Sequence, residues 1–337
     1  PTGSLYTQVD LAREPFRIRP RIDIVVPERY GDIRYSSNSA GYRDREWRAP
    51  GWPLVVLVGD SVAFGLGSAA EDRFPDRLES ALRNAGFPRA EVRNLSMFGY
   101  GGYEELAALR QEGVPAHPDL VVVQFYLNDF HTPAPTMSLR HASLGQRLQA
   151  AKNRLLSASN VYLRLQQLVQ GTAHWAFHDA RRREPERLNA SEPQQVVDLL
   201  ALQPDDRELL AFQYLGEMNR TVKLTNARML LLSTPNEAQL FFERWDEIDH
   251  RLTRFSEREG IPLVDSLATL RADPDRNHLF LDGVHLSAAG HAAVAELLAP
   301  QVAALLETSD RRVAAAEPAR DAELAPRYQL SRESARR

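Results

Sequence analysis

The sequence predicts an α/β fold in which a parallel sheet of five strands lies between layers of helices. Apolar runs of strand length alternate with longer segments whose apolar residues recur at helical spacing, as in strands joined by crossover helices. The first of these strands consists of five consecutive apolar residues, which is typical of a strand buried on both faces. The predicted strands span residues 54–58, 91–95, 119–125, 229–233 and 261–264.

The helices between and after these strands follow from apolar periodicity and from glycines at their ends. Gly86 and Gly113 stand where the first two helices are expected to stop, because glycine readily adopts the backbone conformation that ends a helix. The predicted helices lie near residues 73–86, 103–112, 206–226, 237–259 and 287–307.

The main domain is predicted at residues 51–307. One further segment interrupts this domain, and two others flank it. Residues 1–50 are polar apart from a strand-like run at 22–26, and they include a motif-like segment at 38–43, so we expect an N-terminal extended arm packed on the core. Residues 131–205 contain no strand-like run, and their apolar spacing predicts a helical insertion. Residues 308–337 lack apolar periodicity, which predicts a disordered tail.

A Gly-Asp-Ser turn directly after the first strand contains a candidate nucleophile. The apolar run at 54–58 ends abruptly at Gly59, Asp60 and Ser61. Open α/β sheets bind their ligands at the carboxyl ends of the strands, so this turn projects the Ser61 hydroxyl towards the expected binding edge. A serine in this position predicts nucleophilic catalysis.

An acid and an imidazole stand three residues apart near the other end of the chain. Asp282 and His285 are separated by Gly283 and one valine, and the glycine makes it easy for the loop to turn the two side chains towards each other. Together with Ser61 they can form a serine triad, in which the imidazole takes the serine proton and the carboxylate orients the imidazole. The same pair also fits a helix N-terminus with an acidic cap.

Two more blocks follow strand-like runs between these ends of the chain. Gly99 closes the segment 94–99, and Asn128 lies in the segment 125–129; each can offer an N–H group to an oxyanion. The four blocks in this order resemble those of the SGNH hydrolases, the GDSL esterase and lipase superfamily. The resemblance implies a three-layer α/β/α, flavodoxin-like fold.

The resemblance also implies roles for individual residues. Ser61, Asp282 and His285 correspond to the catalytic triad of the family. The oxyanion hole is expected to consist of the backbone N–H groups of Ser61 and Gly99 and the side-chain amide of Asn128.

The residues next to these blocks are candidates for the wall of the substrate pocket. Asp60 and Asp129 match the family's Gly-Asp-Ser and Asn-Asp pairs, where structural hydrogen bonds are expected. Tyr126 departs from the family, because the third block usually has glycine at this position, and its large side chain is expected to narrow the pocket or to stack on a substrate ring. Tyr100, beside the second block, is the fourth candidate.

Composition limits the classes of partner. The chain has 337 residues, of which 43% are hydrophobic, and its net charge of -4 argues against a nucleic-acid binder. It has no cysteine, which excludes disulfides and zinc–cysteine sites, and we expect neither a metal nor a cofactor. No uninterrupted apolar run approaches the roughly eighteen residues of a membrane span, so no transmembrane segment is expected.

Other properties are less constrained by the sequence. Basic residues in the insertion fit a solvated helix pair better than a peripheral membrane contact. The chain begins at Pro1 without methionine, which fits either an upstream signal that was removed or ordinary methionine excision, so neither a cytoplasmic nor an extracytoplasmic location is predicted. The oligomeric state is also open.

These patterns together predict an enzyme. We expect a metal-independent serine esterase that hydrolyses a short acyl ester of a carbohydrate or another small polar alcohol through an acyl-enzyme intermediate. One alternative is an acyltransferase that uses the same triad with an acceptor other than water. A second alternative is a catalytically silent binding or assembly domain that retains the fold.

Overall fold

The computed structural model describes residues 5–10, 13–28, 31–47, 53–127, 129, 206–242 and 246–308. The predicted helical insertion at 131–205, the predicted oxyanion donor Asn128 and the tail that follows Thr308 lie outside the described residues.

The described chain alternates between strands and helices, as the sequence predicts. The strands are β1 (Val9–Asp10), β2 (Arg17–Ile18), β3 (Asp23–Glu28), β4 (Gly31–Ser36), β5 (Leu54–Val58), β6 (Glu91–Asn94), β7 (Leu120–Phe125), β8 (Arg228–Ser233) and β9 (Leu263–Asp265). The α-helices are α1 (Ser61–Phe64), α2 (Phe74–Asn84), α3 (Gly102–Ala108), α4 (Asp206–Lys223), α5 (Glu247–Glu259), α6 (Leu267–Ala272) and α7 (Ala288–Thr308).

A parallel sheet of five strands forms the centre of the fold and confirms the predicted fold class. Its order is β6-β5-β7-β8-β9, with Val55 opposite Val92 on one side of β5 and Val56 opposite Val121 on the other. After β5 the chain forms the edge strand β6, and it then crosses back to form β7 on the other side of β5. This reversal opens a crevice at the carboxyl end of β5, which is where α/β sheets of this kind bind ligands.

The two faces of the sheet are covered by different helices. Alternate residues of each strand point to opposite faces, so Val56 and Val58 join one core cluster, whereas Val55 and Leu57 join the other. The first cluster includes residues of α3, α4, α5 and the N-terminal arm. The second includes residues of α2, α6 and α7. Each buried aliphatic side chain contributes on the order of 1.5–3 kcal/mol of hydrophobic free energy to the folded state.

Helix α7 is long and apolar enough to cross a membrane, judged by length and composition among the described residues. It is not an uninterrupted apolar run, because His291 lies within it. Its side chains Val294, Leu298, Val302 and Leu306 recur every four residues and are at most 1% exposed in the second core cluster. The apolar composition of α7 is therefore used in packing against the sheet.

The N-terminal arm contains two small antiparallel sheets instead of a single extended segment. Strand β1 pairs with β2, and β3 pairs with β4 so that Ile24 stands opposite Tyr35. Tyr35 and Tyr42 are completely buried and belong to the same core cluster as β5 and β7. The polar sequence of the arm conceals this pairing, because only alternate residues of β3 and β4 face the core.

Several helix boundaries differ from the predicted ones. The helix predicted at 237–259 is a short 3₁₀ turn, Glu237–Leu240, followed later by α5. The turn is fixed by reciprocal hydrogen bonds, in which Asn236 Oδ1 accepts from the Gln239 N–H and Gln239 Oε1 accepts from the Asn236 N–H, each at 3.0 Å. Helix α6 was not predicted, because its six residues are too few to show helical periodicity.

The packing of α7 generates a stability prediction at Gly290. A Cβ atom at this position would lie 2.1 Å from the carbonyl oxygen of Leu279, which already accepts the Ser287 N–H at 2.9 Å. We expect Gly290→Ala to lower the free energy of unfolding by about 1–3 kcal/mol, because backbone must move to admit the methyl group.

Gly216→Ala in α4 is the matched control, because a Cβ there would meet only the flexible Arg220 Nη1, at 3.7 Å. This variant should gain about 0.5–1 kcal/mol from the better helix propensity of alanine. Urea denaturation measures both effects. A Gly290→Ala protein that is as stable as Gly216→Ala would contradict the packing described for α7.

Candidate active site

Ser61 is the first residue of α1 and follows β5 after a two-residue turn. A Cβ at Gly59 would lie 2.5 Å from Gln124 Oε1, so glycine permits β5 and β7 to approach closely at this turn. Asp60 then caps α1, because its Oδ1 accepts the Val62 N–H at 2.8 Å. The turn places the Ser61 side chain at the carboxyl edge of the sheet, as the sequence predicts.

The loop before α7 brings an imidazole and a carboxylate to this serine. His285 Nε2 is 3.0 Å from Ser61 Oγ, and His285 Nδ1 is 2.8 Å from Asp282 Oδ2. The second carboxylate oxygen, Asp282 Oδ1, accepts the backbone N–H groups of Val284 and His285. With a proton on Nδ1, the imidazole presents the lone pair of Nε2 to the serine hydroxyl, which is the arrangement that general-base catalysis requires.

Backbone contacts close the loop that carries these two residues. Phe280 and Leu286 form an isolated antiparallel bridge, and the Leu281 N–H donates to the His285 carbonyl oxygen at 2.8 Å. The loop therefore begins and ends at neighbouring points. This closure fixes the direction of the His285 side chain before α7 begins.

The pKa shifts of the pair match this geometry. Burial acts to raise the pKa of Asp282, but its hydrogen bonds and the charge of His285 outweigh burial and lower the pKa to about 2. Burial acts to lower the pKa of His285, but the hydrogen bond to Asp282 and the negative charges of Asp282, Asp60 and Glu28 raise it above 6.5. The protein therefore stabilises the imidazolium that forms when His285 takes a proton.

The predicted backbone donors lie at the same edge of the sheet. Gly99 has a φ of +81° in a turn in which the Tyr100 N–H donates to the Met97 carbonyl oxygen at 3.1 Å. The Met97 N–H in turn donates to the Gly59 carbonyl oxygen at 3.2 Å, which ties this turn to the nucleophile turn. Within the described part of the chain, the N–H groups of Gly99 and Ser61 make no backbone hydrogen bond. Their role as oxyanion donors stays a prediction.

The two predicted pocket tyrosines occupy different environments. Tyr100 is 2% exposed, its hydroxyl donates to the Phe16 carbonyl oxygen at 2.7 Å, and its ring packs edge to face on Phe16. Tyr100 therefore anchors the arm to the core, and its place in the pocket wall stays a prediction. Tyr126 is also buried, and its hydroxyl pKa is raised by burial and then by the charges of Asp60 and Asp282. The Tyr126 phenol therefore interacts electrostatically with both carboxylates.

Three buried carboxyl groups lie beneath the site. Asp60, Asp129 and Glu105 are at most 5% exposed, and Asp129 Oδ2 accepts the Tyr126 N–H at 3.0 Å. Burial raises the pKa values of Asp129 and Glu105, and the nearby negative charge of Asp60 raises both further. Asp60 accepts the Val62 N–H and Asp129 accepts the Tyr126 N–H, and the predicted place of both residues in the pocket wall stays a prediction. Glu105 was not singled out from the sequence, because two adjacent glutamates in a first helical turn usually face solvent.

The motif-like segment at 38–43 folds into a tight turn. Asn38 Oδ1 accepts the N–H groups of Ala40 and Tyr42 at 3.0 and 3.1 Å. Gly41 has a φ of +87°, and a Cβ there would lie 2.4 Å from the Ile18 carbonyl oxygen, so the turn requires glycine. The turn directs the last residue of the segment, Arg43, into the protein interior.

Arg43 holds the loop that follows α1. Its guanidinium is buried, and it donates to the carbonyl oxygens of Phe64, Gly65 and Ser68 at 3.2, 2.5 and 2.6 Å. Ser68 Oγ then donates to the Leu286 carbonyl oxygen at 3.2 Å, next to His285. We call these contacts the Arg43 clamp. It links the arm to both loops that carry the Ser61–His285 pair, and its only signal in the sequence is the motif-like pattern at 38–43.

Comparisons with known proteins agree with this architecture. A model of the GDSL-like Lipase/Acylhydrolase family matches residues 57–293. No curated protein matches the chain.

Solved structures with similar folds share few identical residues with this chain. One is described as TesA, with 17% identity and a TM-score of 0.45, and the match covers 75% of this chain and 99% of that one. Another is the lipase/acylhydrolase from Enterococcus faecalis, with 15% identity, a TM-score of 0.44 and coverage of 75% and 96%. A third is the acetyl xylan esterase AlAXEase, with 15% identity, a TM-score of 0.43 and coverage of 74% and 99%.

The Arg43 clamp generates a prediction about stability. In Arg43→Ala, the buried Ser68 carbonyl oxygen loses its described donor, and those of Phe64 and Gly65 keep only the Arg73 guanidinium and the Ser68 N–H among the described residues. We therefore expect the free energy of unfolding to fall by about 2–4 kcal/mol. Arg34→Ala is the matched control, because Arg34 lies in the same arm but pairs with Asp23 at the exposed surface. Denaturant midpoints report both changes, and equal midpoints for the two variants would be inconsistent with the clamp.

Proposed function

Because this chain belongs to the GDSL-like lipase/acylhydrolase family, whose members act on ester bonds, we propose that it is a metal-independent serine esterase with Ser61 as nucleophile. The hydrogen-bonded row from Asp282 through His285 to Ser61 is the observation that carries the proposal, with atoms 2.8 and 3.0 Å apart. All three residues lie within the family match at 57–293.

The proposed reaction has two halves joined by an acyl-enzyme intermediate. Ser61 Oγ attacks the carbonyl carbon of the ester while His285 Nε2 takes the serine proton, and Asp282 stabilises the imidazolium. The tetrahedral intermediate then expels the alcohol, which receives the proton from His285. In the second half, water gives a proton to His285 and attacks the acyl group, and the acid leaves as Ser61 regains its proton.

Negative charge on the carbonyl oxygen requires donors in both halves of this reaction. We assign the backbone N–H groups of Ser61 and Gly99 to this role, together with the side-chain amide of Asn128 that the family resemblance implies. Each such donor in a serine hydrolase contributes roughly 10²–10³ in turnover.

We propose a short acyl group on a carbohydrate or another small polar alcohol as the substrate. The residues that follow Ser61 support a short acyl chain, because Val62, Ala63 and Phe64 are at most 1% exposed and are packed into the core. Negative charge around His285, from Asp282 and Glu28, supports an uncharged alcohol over an anionic one.

Replacement of Ser61 tests the proposal directly. The native chain should hydrolyse p-nitrophenyl acetate, and Ser61→Ala should lower turnover by several orders of magnitude, because the alanine cannot form the acyl-enzyme. Ser80→Ala is the matched control, because Ser80 lies on the exposed side of α2 and, among the residues that the structure describes, donates only to the Asp76 carbonyl oxygen. The mass of the native chain should increase by one adduct after exposure to a fluorophosphonate. Equal hydrolysis rates for Ser61→Ala and Ser80→Ala would refute the assignment.

The raised pKa of His285 predicts how activity depends on pH. The base must be neutral, so kcat/KM for p-nitrophenyl acetate should rise with pH through a midpoint above 6.5. In Asp282→Asn, the hydrogen bond and the negative charge that raise this pKa are weakened or lost, so the NMR titration of His285 should shift to lower pH. A wild-type midpoint below 6.5, or an unshifted titration in the variant, would contradict the described pair.

The same pKa shift contributes to stability with a defined sign. A histidine whose pKa is raised by folding binds its proton more tightly in the folded state. Its contribution to stability is therefore complete below the unfolded-state pKa and is lost as the pH rises through the folded-state pKa.

A further inference from the structure

Two side chains of the N-terminal arm, Tyr6 and Glu28, stand beside the proposed triad and take no part in its chemistry. Tyr6 is 51% exposed, and Leu224 is the only other large hydrophobic side chain counted as exposed in the described part of the chain. A single exposed hydrophobic side chain is common on protein surfaces, but a tyrosine offers both an apolar ring face and a polar hydroxyl to a ligand.

Tyr6 is attached to the nucleophile helix by a row of aromatic rings. Its ring packs edge to face on Phe98 with 5.2 Å between centroids, and Phe98 packs in the same way on Phe64 at 5.2 Å. Phe64 is the last residue of α1, and Phe98 directly precedes Gly99. Tyr6 therefore ends the row at the surface, next to the turn proposed to bind the oxyanion.

Glu28 is the last residue of β3, and a hydrogen bond from Tyr35 of β4 holds one of its carboxylate oxygens. Glu28 Oε1 accepts from the Tyr35 hydroxyl at 3.2 Å, and the Tyr35 hydroxyl oxygen accepts the Gly67 N–H at 2.9 Å. Gly67 lies against Leu281, since a Cβ at Gly67 would be 2.8 Å from Leu281 Cδ1. The other oxygen, Glu28 Oε2, makes no hydrogen bond to any residue that the structure describes.

Contacts connect Tyr6 and Glu28 to the two loops of the site. Tyr6 packs on Phe98 beside the Gly99 turn, and Glu28 is linked through Tyr35 and Gly67 to Leu281, next to Asp282. Burial raises the pKa of Glu28, and the charges of His285 and Asp282 act on the same carboxyl group. Tyr6 is half exposed, and its remaining burial, followed by the negative charges of Glu28 and Asp282, raises the pKa of its hydroxyl.

From this geometry we propose that Tyr6 and Glu28 bind the alcohol part of the ester, and that this alcohol is a neutral, polyhydroxylated ring of the sugar type. The inference rests on the proposed esterase function. The alcohol leaves on the side of His285, because it takes its proton from Nε2, and Glu28 is linked to the His285 loop through Tyr35 and Gly67. The open carboxylate oxygen accepts hydrogen bonds from ring hydroxyls, and the face of Tyr6 covers the apolar C–H face of the ring.

Charge and ring geometry argue against other alcohols. Glu28 and Asp282 repel an anionic group. A quaternary ammonium group is usually held by several aromatic faces, but Phe98 and Phe64 are at most 8% exposed, so Tyr6 offers a single face. A neutral ring with several hydroxyl groups fits one aromatic face and one acceptor.

This binding site would belong to the arm and not to the region shared with the family. The family match begins at residue 57, whereas Tyr6 and Glu28 precede it. Discrimination between alcohols would then be separable from the ester chemistry, which involves residues within the match.

Two acetate esters with different alcohols separate the inference from the function on which it rests. Glucose monoacetate carries the proposed sugar ring, and p-nitrophenyl acetate carries the same acyl group on a flat alcohol without further hydroxyls. In Tyr6→Ala and in Glu28→Gln, the ratio of kcat/KM for the sugar ester to kcat/KM for the nitrophenyl ester should fall at least tenfold. Tyr6→Phe keeps the ring and should keep at least half of the wild-type ratio.

Matched controls exclude general effects of losing an exposed side chain. Leu224→Ala removes the other exposed hydrophobic side chain, and Glu46→Gln neutralises an exposed acid of the same arm. Both should leave the two activities unchanged, and thermal melting confirms that every variant is folded.

Three results of these experiments would distinguish failure of the inference from failure of the esterase function. Wild-type protein that cleaves the nitrophenyl ester but gives an unchanged ratio in both Tyr6→Ala and Glu28→Gln would overturn the inference and keep the esterase. Faster cleavage of acetylcholine than of glucose monoacetate would overturn the neutral ring as the preferred alcohol. Wild-type protein that cleaves neither acetate ester and forms no fluorophosphonate adduct would overturn both proposals.

Discussion

The hydrogen bond between Ser61 and His285 joins residues that are 224 positions apart, and the rest of the structure serves to make that contact. Ser61 is placed by the end of a central strand, whereas His285 is placed by a closed loop before α7. An error of one ångström at either end would break the geometry that proton transfer requires. The sheet order and the packing of α7 are therefore conditions for the proposed chemistry as well as for stability.

The central sheet was predictable because its signal is local. A strand buried on both faces must be apolar along its whole length, so β5, β7 and β8 stand out as short apolar runs between polar segments. The break between the 3₁₀ turn Glu237–Leu240 and α5 was not predictable from periodicity. It depends on a reciprocal pair of hydrogen bonds, and such competition with helical bonding leaves only a weak trace in composition.

The residues of the proposed triad could be named from the sequence because their spacing and the turns around them carry chemical meaning. Arg43, Glu28 and Glu105 could not be named, because a charged residue in a polar segment usually faces water. Asn38 and Gly41 turn the chain inwards and so bury Arg43. This turn packs against Ile18, and Arg43 contacts the loop after α1. These roles arise from contacts across the fold and have no local signature.

The Arg43 clamp limits where this protein can be cut into fragments. The family match spans 57–293, yet Arg43 and the buried Tyr35 precede it, and Leu298 and Val302 of the core follow it. A fragment cut at the borders of the match would expose apolar surface on two sides and release the loop that follows α1. The segment shared with relatives is thus not a transplantable module: in this chain, the flanking sequence is an integral part of the folded unit.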